Sequence, residues 1–228
     1  MAWTAVEDFE DYADATSISG LNGGTGWAGA WSLTGGTLVT NSSPVYQSTR
    51  GITATSAGLG GNNAERQLSS DVSGSFVIYC AMRRSSNSSG EIRWNFRNTG
   101  DSDRISVVMK ADGIAYIRGV TTGANLASIG SYSADTYYVF RITGDTSTGS
   151  VSAAMSSDAF GSAGSFGTES SSVSFNTGDL RYVLIDFADG AGTGVTNYWD
   201  YLSATSPFAG GGGATAPIIQ NLALLGVG

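Results

Sequence analysis

Between Gly74 and Thr143 the chain repeats one pattern. The segments GSFVIYCAMRR, GEIRWNFRN, DRISVVMKADGIAYIRG and, after a polar gap, DTYYVFRIT each alternate apolar and polar side chains. Each is bounded by Gly, Asn, Ser or Asp. A period of two over such lengths marks strands with one buried face, and the turn residues between them make the strands consecutive and antiparallel. A helix would need a period near 3.6, and only Ser17–Leu21 and the C-terminal tail hint at one. The composition agrees: 33 Gly and 3 Pro in 228 residues, with few charges and many aromatics, suit short strands joined by many turns. The length permits a single large β domain with a substantial core.

The remaining segments extend this pattern. Residues 3–12 (WTAVEDFEDY) read as a first strand, with Val6, Asp8, Glu10 and Tyr12 on one face and Glu7, Phe9 and Asp11 on the other. A Gly-rich loop follows, pinned by Trp27 and Trp31, in which Gly23, Gly24 and Gly26 allow positive φ and close backbone approach. Strands are expected near 37–40, 45–48 and 65–68. ITGDTSTGSVSAAM reads as a hairpin with Asp145 and Gly149 at its turn, residues 156–171 as a loop, and 173–175, 180–187 and 195–204 as closing strands. Pro207 ends this unit at residue 208. Residues 209–216 form a Gly-rich linker, and residues 217–228 form an apolar tail.

Charge and residue usage exclude several functions. The net charge of −8 opposes a phosphate backbone, so nucleic acid is not an expected partner. The chain has no histidine, which removes the commonest general base, the usual catalytic triad and most zinc sites. The single cysteine, Cys80, shares a face with Phe76, Ile78 and Met82 and is read as a core residue. MAWTAVEDFEDY lacks the basic and apolar regions of a secretory signal. No segment reaches the ~20 apolar residues that span a bilayer, so no membrane insertion is expected.

The opening VEDFEDYADATSISGLNGGTGWAGAW, the hairpin TYYVFRITGDTSTGSVSAAM and the closing VTNYWDYLSAT, in that order, resemble the concanavalin A-like (laminin-G-like) jelly-roll domains of bacteriophage structural proteins and bacterial carbohydrate-binding proteins. The resemblance covers residues 3–208. It implies an all-β fold: a two-layer antiparallel β-sandwich, with the C-terminal tail extended beyond it. Many relatives bind sugars or carry a structural calcium that ties the first strand to the last. The matching acids are Glu7, Asp8 and Glu10 at the start and Asp200 at the end, so Asp8, Glu10 and Asp200 are the expected ligands of a calcium ion, which takes ~6–8 oxygens. No other cofactor is expected.

Relatives that are hydrolases carry Glu-x-Asp-x-Glu on one strand, and EDFED at 7–11 does not match it because Phe9 occupies the central acid position. Asp186 in LIDFAD has no Glu two residues away. The chain is therefore not expected to be an enzyme. For a glycan platform Trp27 and Trp31 are the candidates. Trp94 shares a face with Ile92 and Phe96, and Trp199 with Tyr201, which reads as core. Arg83, Arg84, Arg93, Arg97 and Arg104 fall in adjacent strands, where they either form cross-strand charge pairs or meet the acids of a partner.

Ile218, Ile219, Leu222, Leu224, Leu225 and Val227 are too apolar to favour water. Burying each returns ~1.5–3 kcal/mol, against ~1–2 kcal/mol per residue for ordering the backbone. The tail gains by adding to a sheet edge or groove on a partner. An extracellular-type fold, no export signal and a docking tail point to a bacteriophage virion structural protein, such as a capsid decoration or a tail or fibre component. Such a protein would be a homo-oligomer in contact with other virion proteins, released on host lysis. A carbohydrate-binding module or receptor-binding adhesin that contacts a host-surface glycan is the alternative.

Overall fold

The computed structural model describes residues 2–47, 49–55, 62–98, 103–119, 123–188 and 194–209. The apolar tail and the linker beyond Ala209 lie outside them. No helix occurs among the described residues. The strands, in chain order, are β1 (Ser32–Thr34), β2 (Val39–Asn41), β3 (Gly51–Thr55), β4 (Asn62–Val72), β5 (Ser75–Arg84), β6 (Glu91–Arg97) and β7 (Asp103–Lys110). They continue as β8 (Ile114–Gly119), β9 (Ala124–Ser131), β10 (Tyr138–Asp145), β11 (Ser150–Ser156), β12 (Val173–Ser174), β13 (Leu180–Ala188) and β14 (Thr196–Ser203).

They form two seven-stranded sheets, ordered β1-β4-β13-β6-β7-β8-β9 and β12-β11-β10-β5-β14-β3-β2. Every pairing in both sheets is antiparallel. The alternation expected from the sequence decides which side chains enter the space between the sheets. On β6, Ile92, Trp94 and Phe96 are buried inward, and Phe76, Ile78, Cys80 and Met82 of β5 join the same core. Burial raises the Cys80 thiol well above its ordinary pKa, which keeps it un-ionised and unreactive. The expected hairpin is present. β10 and β11 pair from Val139↔Ser156 to Asp145↔Ser150, and Asp145 Oδ1 accepts from the Ser147 and Thr148 amides inside the turn.

The structure departs from the expected strands at three places, the first being residues 45–47, which form a bend instead of a strand. Residues 3–12 do not form a strand; they are held to the sandwich by single bridges, Val6↔Thr25 and Glu7↔Leu202. Trp3, Ala5, Glu7 and Phe9 are buried in alternation, and then Phe9 adopts a φ of 61° and breaks the period. Tyr12 therefore turns inward too, against Phe9, instead of sharing a face with Asp8 and Glu10. On β14 a register shift between Asp200 and Leu202, with Tyr201 at φ 47°, separates Trp199 from Tyr201. Trp199 lies in the main core. Tyr201 lies in a second cluster with Tyr79, Ala81, Val139 and Phe208 on the outer side of the second sheet. The loop residues Tyr46 and Phe166 pack on that cluster.

Candidate functional site

The first and last segments meet around buried acids. Glu7 is fully buried, and its carboxylate accepts from Phe9 N at 3.2 Å, Tyr12 Oη at 3.1 Å and Trp31 Nε1 at 3.1 Å. It also forms an ion pair with Arg66, itself buried. Arg66 reaches this place because β4 alternates. Its register partner Val183 faces the core, so Arg66 does too, while its neighbours Glu65 and Gln67 face outward. The guanidinium donates to Gly29 O and Asn22 Oδ1, both at 2.8 Å, and lies 4.7 Å from the Trp27 ring. Desolvation pushes the Glu7 carboxyl up to about 7, although the charge of Arg66 and the three donors pull the other way. Burial and the charge on Glu7 push Tyr12 up to about 12.

These contacts decide the two tryptophans. Trp31 is 2% exposed, so it offers no face to a ligand; the expectation of a platform there is corrected. Trp27 is half-buried, donates to Val6 O at 3.0 Å and stacks on Arg66. Both rings pin the Gly-rich loop to the sandwich.

The expected calcium ligands are likewise occupied. Asp200 is buried; its Oδ2 accepts from Tyr46 N at 2.7 Å and Gln47 N at 3.0 Å, and its Oδ1 from Tyr201 N at 2.7 Å. Desolvation raises it to about 8 against the pull of those amides. Glu10 accepts from Thr49 N and Arg50 N at 2.9 Å, and Asp8 from Glu10 N at 3.2 Å. Asp200 and Glu10 tie loop backbone to the sandwich, whereas the Asp8 bond closes a local turn; oxygens that face N–H dipoles are poor cation ligands. Among the described residues no group of three Asp, Glu, Cys or His could hold a metal ion, so the structure does not assemble Asp8, Glu10 and Asp200 as a calcium site.

Polar side chains concentrate instead on the outer face of the first sheet. Where Ile92, Trp94 and Phe96 of β6 face inward, Glu91, Arg93, Asn95 and Arg97 face outward, opposite Asp186, Leu184 and Tyr182 of β13. Arg93 joins Glu91 to Asp186, donating through Nε at 2.8 Å and Nη1 at 2.8 Å. Arg118 of β8 reaches across β7 to the same Glu91, and Arg97 meets Glu65 of β4 at 3.2 Å. The face arginines therefore pair with acids of their own sheet. Arg84, expected to line up with them, is buried elsewhere, donating to Gly90 O and Tyr132 Oη. Arg83 lies on the second sheet over the Tyr198 ring and meets Asp135. The side chain of Arg104 is outside those described.

Within this charge ladder sit Asn95 and Ser106, direct register partners on β6 and β7, each 1% exposed. Asn95 Oδ1 and Ser106 Oγ have no hydrogen-bond partner among the described residues, whereas buried polar groups are nearly always satisfied. Asn95 Nδ2 donates weakly to Asp186 Oδ2 at 3.4 Å. Sequence reasoning missed this pair. The signal was present in the polar set Glu-x-Arg-x-Asn-x-Arg at alternate positions opposite an apolar set. A cleft of about 910 Å³ lies on the second sheet, lined by Trp3, Val77, Tyr79, Arg141, Thr143 and Asp145 among others. Its charged groups are engaged, Asp145 with Ser75 and Arg141 with Glu169, and none of the unpartnered buried groups lines it.

No protein-family model matches the chain, and no curated protein matches its sequence. Solved structures match its shape. The catalytic domain of a glycoside hydrolase family 131 protein from Coprinopsis cinerea has a TM-score of 0.58 at 13% identity, over 88% of this chain and 93% of that one. A protein described as a sialidase has a TM-score of 0.57 at 9% identity over 77% of this chain, and the match spans only 17% of the sialidase. Lectin I-B4 from Griffonia simplicifolia matches more loosely, at 0.47 and 12% identity, over 67% of this chain and 86% of the lectin. At these identities the likeness concerns the fold. With its two seven-stranded antiparallel sheets packed face to face, the chain is a concanavalin A-like jelly-roll sandwich.

Proposed function

We propose that the chain is a carbohydrate-binding module whose glycan lies across the outer face of the first sheet. The observation that carries this reading is the pair Asn95 Oδ1 and Ser106 Oγ, unpartnered in adjacent register within a ring of charged groups; each residue is only 1% exposed, so the reading requires the charged side chains around them to swing aside as the sugar enters. Sugar hydroxyls both donate and accept, so they suit an amide oxygen, a hydroxyl, guanidinium forks and carboxylates presented together. The sialidase and the glycoside hydrolase that share the fold bear names of enzymes acting on sugars. Here binding without hydrolysis is the better reading, because hydrolysis needs two available carboxyl groups and Glu65, Glu91 and Asp186 on this face are each held by an arginine. The test is isothermal titration against members of a glycan panel. Asn95→Leu is expected to weaken the best ligand about 5- to 150-fold, since a buried group that loses its partner costs about 1–3 kcal/mol, with the melting temperature kept. A panel with no ligand, or an Asn95→Leu protein that binds as before, removes the reading.

The setting we propose for this module is the virion of a tailed bacteriophage, on the capsid surface or in the tail. Its support is in the sequence: a Gly run followed by Ile218, Ile219, Leu222, Leu224, Leu225 and Val227. Deleting residues 209–228 is expected to abolish incorporation into particles, measured by quantitative blotting of purified virions. Normal incorporation of the truncated chain overturns it.

A further inference from the structure

The cleft of about 910 Å³ on the second sheet takes no part in the glycan face proposed above. Neighbouring strands supply its floor: Val77 and Tyr79 from β5, Thr143 from β10 and Ser152 from β11. Trp3 and Thr205 line it from the first and last segments. Val77 is 37% exposed there, one of three large apolar side chains so exposed among the described residues. The two charged groups of the cleft are already occupied. Asp145 accepts from Ser75 Oγ at 2.7 Å and Ser147 N at 2.8 Å, and Arg141 pairs with Glu169 and lies over the Phe166 ring. An apolar floor fringed with hydroxyls, with no charge seeking a partner, suits an uncharged apolar peptide whose backbone bonds to those hydroxyls.

We propose that this cleft holds the chain's own apolar segment, residues 217–228, in the free protein. Three observations select this occupant. From Tyr201 to Gly228 the chain carries no Asp, Glu, Lys or Arg, so nothing in the segment needs a counter-charge that the cleft lacks. The described chain also leaves beside the cleft. Thr205 lines it, Phe208 packs on Phe166 with ring centroids 5.0 Å apart, and Arg141 lies 4.9 Å over that same Phe166 ring. Finally, the linker is long enough. Residues 209–216 reach up to about 26–29 Å, and the cleft runs about 13 Å along β10 from Arg141 to Asp145. A short flexible tether sets an effective concentration of about 1 mM, so a segment with an intrinsic dissociation constant of ~0.1 mM is docked in about nine chains of ten. Docking covers Val77 and takes several of Ile218, Ile219, Leu222, Leu224, Leu225 and Val227 out of water. A virion partner that takes the segment, as proposed above, must first displace it from the cleft. The docking itself does not depend on that setting.

Site-specific photocrosslinking in the full chain tests this. Thr143 is exposed on the cleft floor, and p-benzoylphenylalanine takes its place. Irradiation is expected to link that position to residues 217–228 of the same chain, read by peptide mass spectrometry, in a monomeric product whose yield does not depend on protein concentration. The same probe at Ala163, exposed beside the exit of the chain but outside the cleft, is expected to give less than a tenth of that yield. Val77→Asp is expected to cut the yield from position 143 at least fivefold while the circular dichroism of the sandwich is kept. Equal yields at the two probe positions, no link to residues 217–228, or a yield that Val77→Asp leaves unchanged overturns the proposal. Links that form only between chains and rise with concentration overturn it too, and make a second copy's segment the occupant. Glycan titration and particle incorporation are read separately, and neither result alters these yields.

Discussion

Arg66→Met will lose about 3–5 kcal/mol of folding free energy near pH 8, measured by urea unfolding, the range found when one partner of a buried ion pair is removed. Glu7 and Arg66 are both essentially inaccessible to water, so the carboxylate left behind keeps Tyr12, Trp31 and Phe9 as donors but has no counter-charge. Methionine also gives up the bonds to Gly29 O and Asn22 and the stacking on Trp27. The deficit will depend on pH, in a direction set by Glu7. Its folded pKa, about 7, lies above the ordinary carboxylate value. The stability linked to it is therefore fully present below about pH 4 and is lost as pH rises through 7. Removing Arg66 takes away the largest contribution holding that pKa down, so Glu7 rises further and the variant goes on losing stability at higher pH than the wild type. At pH 5, with Glu7 protonated in both proteins, the gap will shrink to the lost packing and hydrogen bonds. Glu7→Gln/Arg66→Met will recover more than half of the loss at pH 8. A deficit under 1 kcal/mol, or one that does not change with pH, means that the pair does not hold the N-terminal segment.

The second large effect is expected at Gly26. Its φ is +79°, and a Cβ there would lie 2.6 Å from Ala5 Cα and 2.9 Å from both Ala5 N and Thr4 O. All three atoms are backbone, so no side chain can swing aside. Gly26→Ala will cost about 1–2 kcal/mol for the left-handed conformation and a further ~1–3 kcal/mol for the overlap. Gly20 separates the two contributions: its φ is +82°, but nothing lies within 4 Å of a Cβ there. Gly20→Ala should show the conformational cost alone. Equal losses at the two positions would mean that the loop does not press on residues 4 and 5 as described. Paired thermal and urea unfolding of both variants decides between these outcomes.

Both effects fall on one junction, where the Gly-rich loop folds over residues 3–12. It forms because two glycines admit the backbone of the opening segment. Trp27 and Trp31 then close over it by donating to Val6 O and Glu7. Aromatic rings in a glycine-rich loop look like a sugar platform when read as sequence. In the folded chain their N–H groups are spent on the protein, and their faces are spent on Arg66 and on each other. The acids follow the same rule. Glu10 and Asp200 sit near loop amides, and the amides take the oxygens that a cation would have needed.

The period-two pattern alone determined the class of fold, most strand positions and the inward set on β5 and β6, because strand geometry sends alternate side chains to opposite faces wherever the backbone stays extended. The composition, with no histidine, determined that no histidine chemistry is possible. Only the tertiary structure decided matters that depend on which strands become neighbours or on a local break in φ. The positive φ at Phe9 and Tyr201 redirected Tyr12 and Tyr201. Arg66 took an inward position that composition would assign to an apolar residue, because Glu7 arrives there from a segment nearly 60 residues away. Asn95 and Ser106 became a pair only when β6 and β7 came into register. Alternation is a local property of the chain. Pairing, burial of charge and the company a polar group keeps are set by contacts between residues far apart in sequence, and those decide where this sandwich can bind.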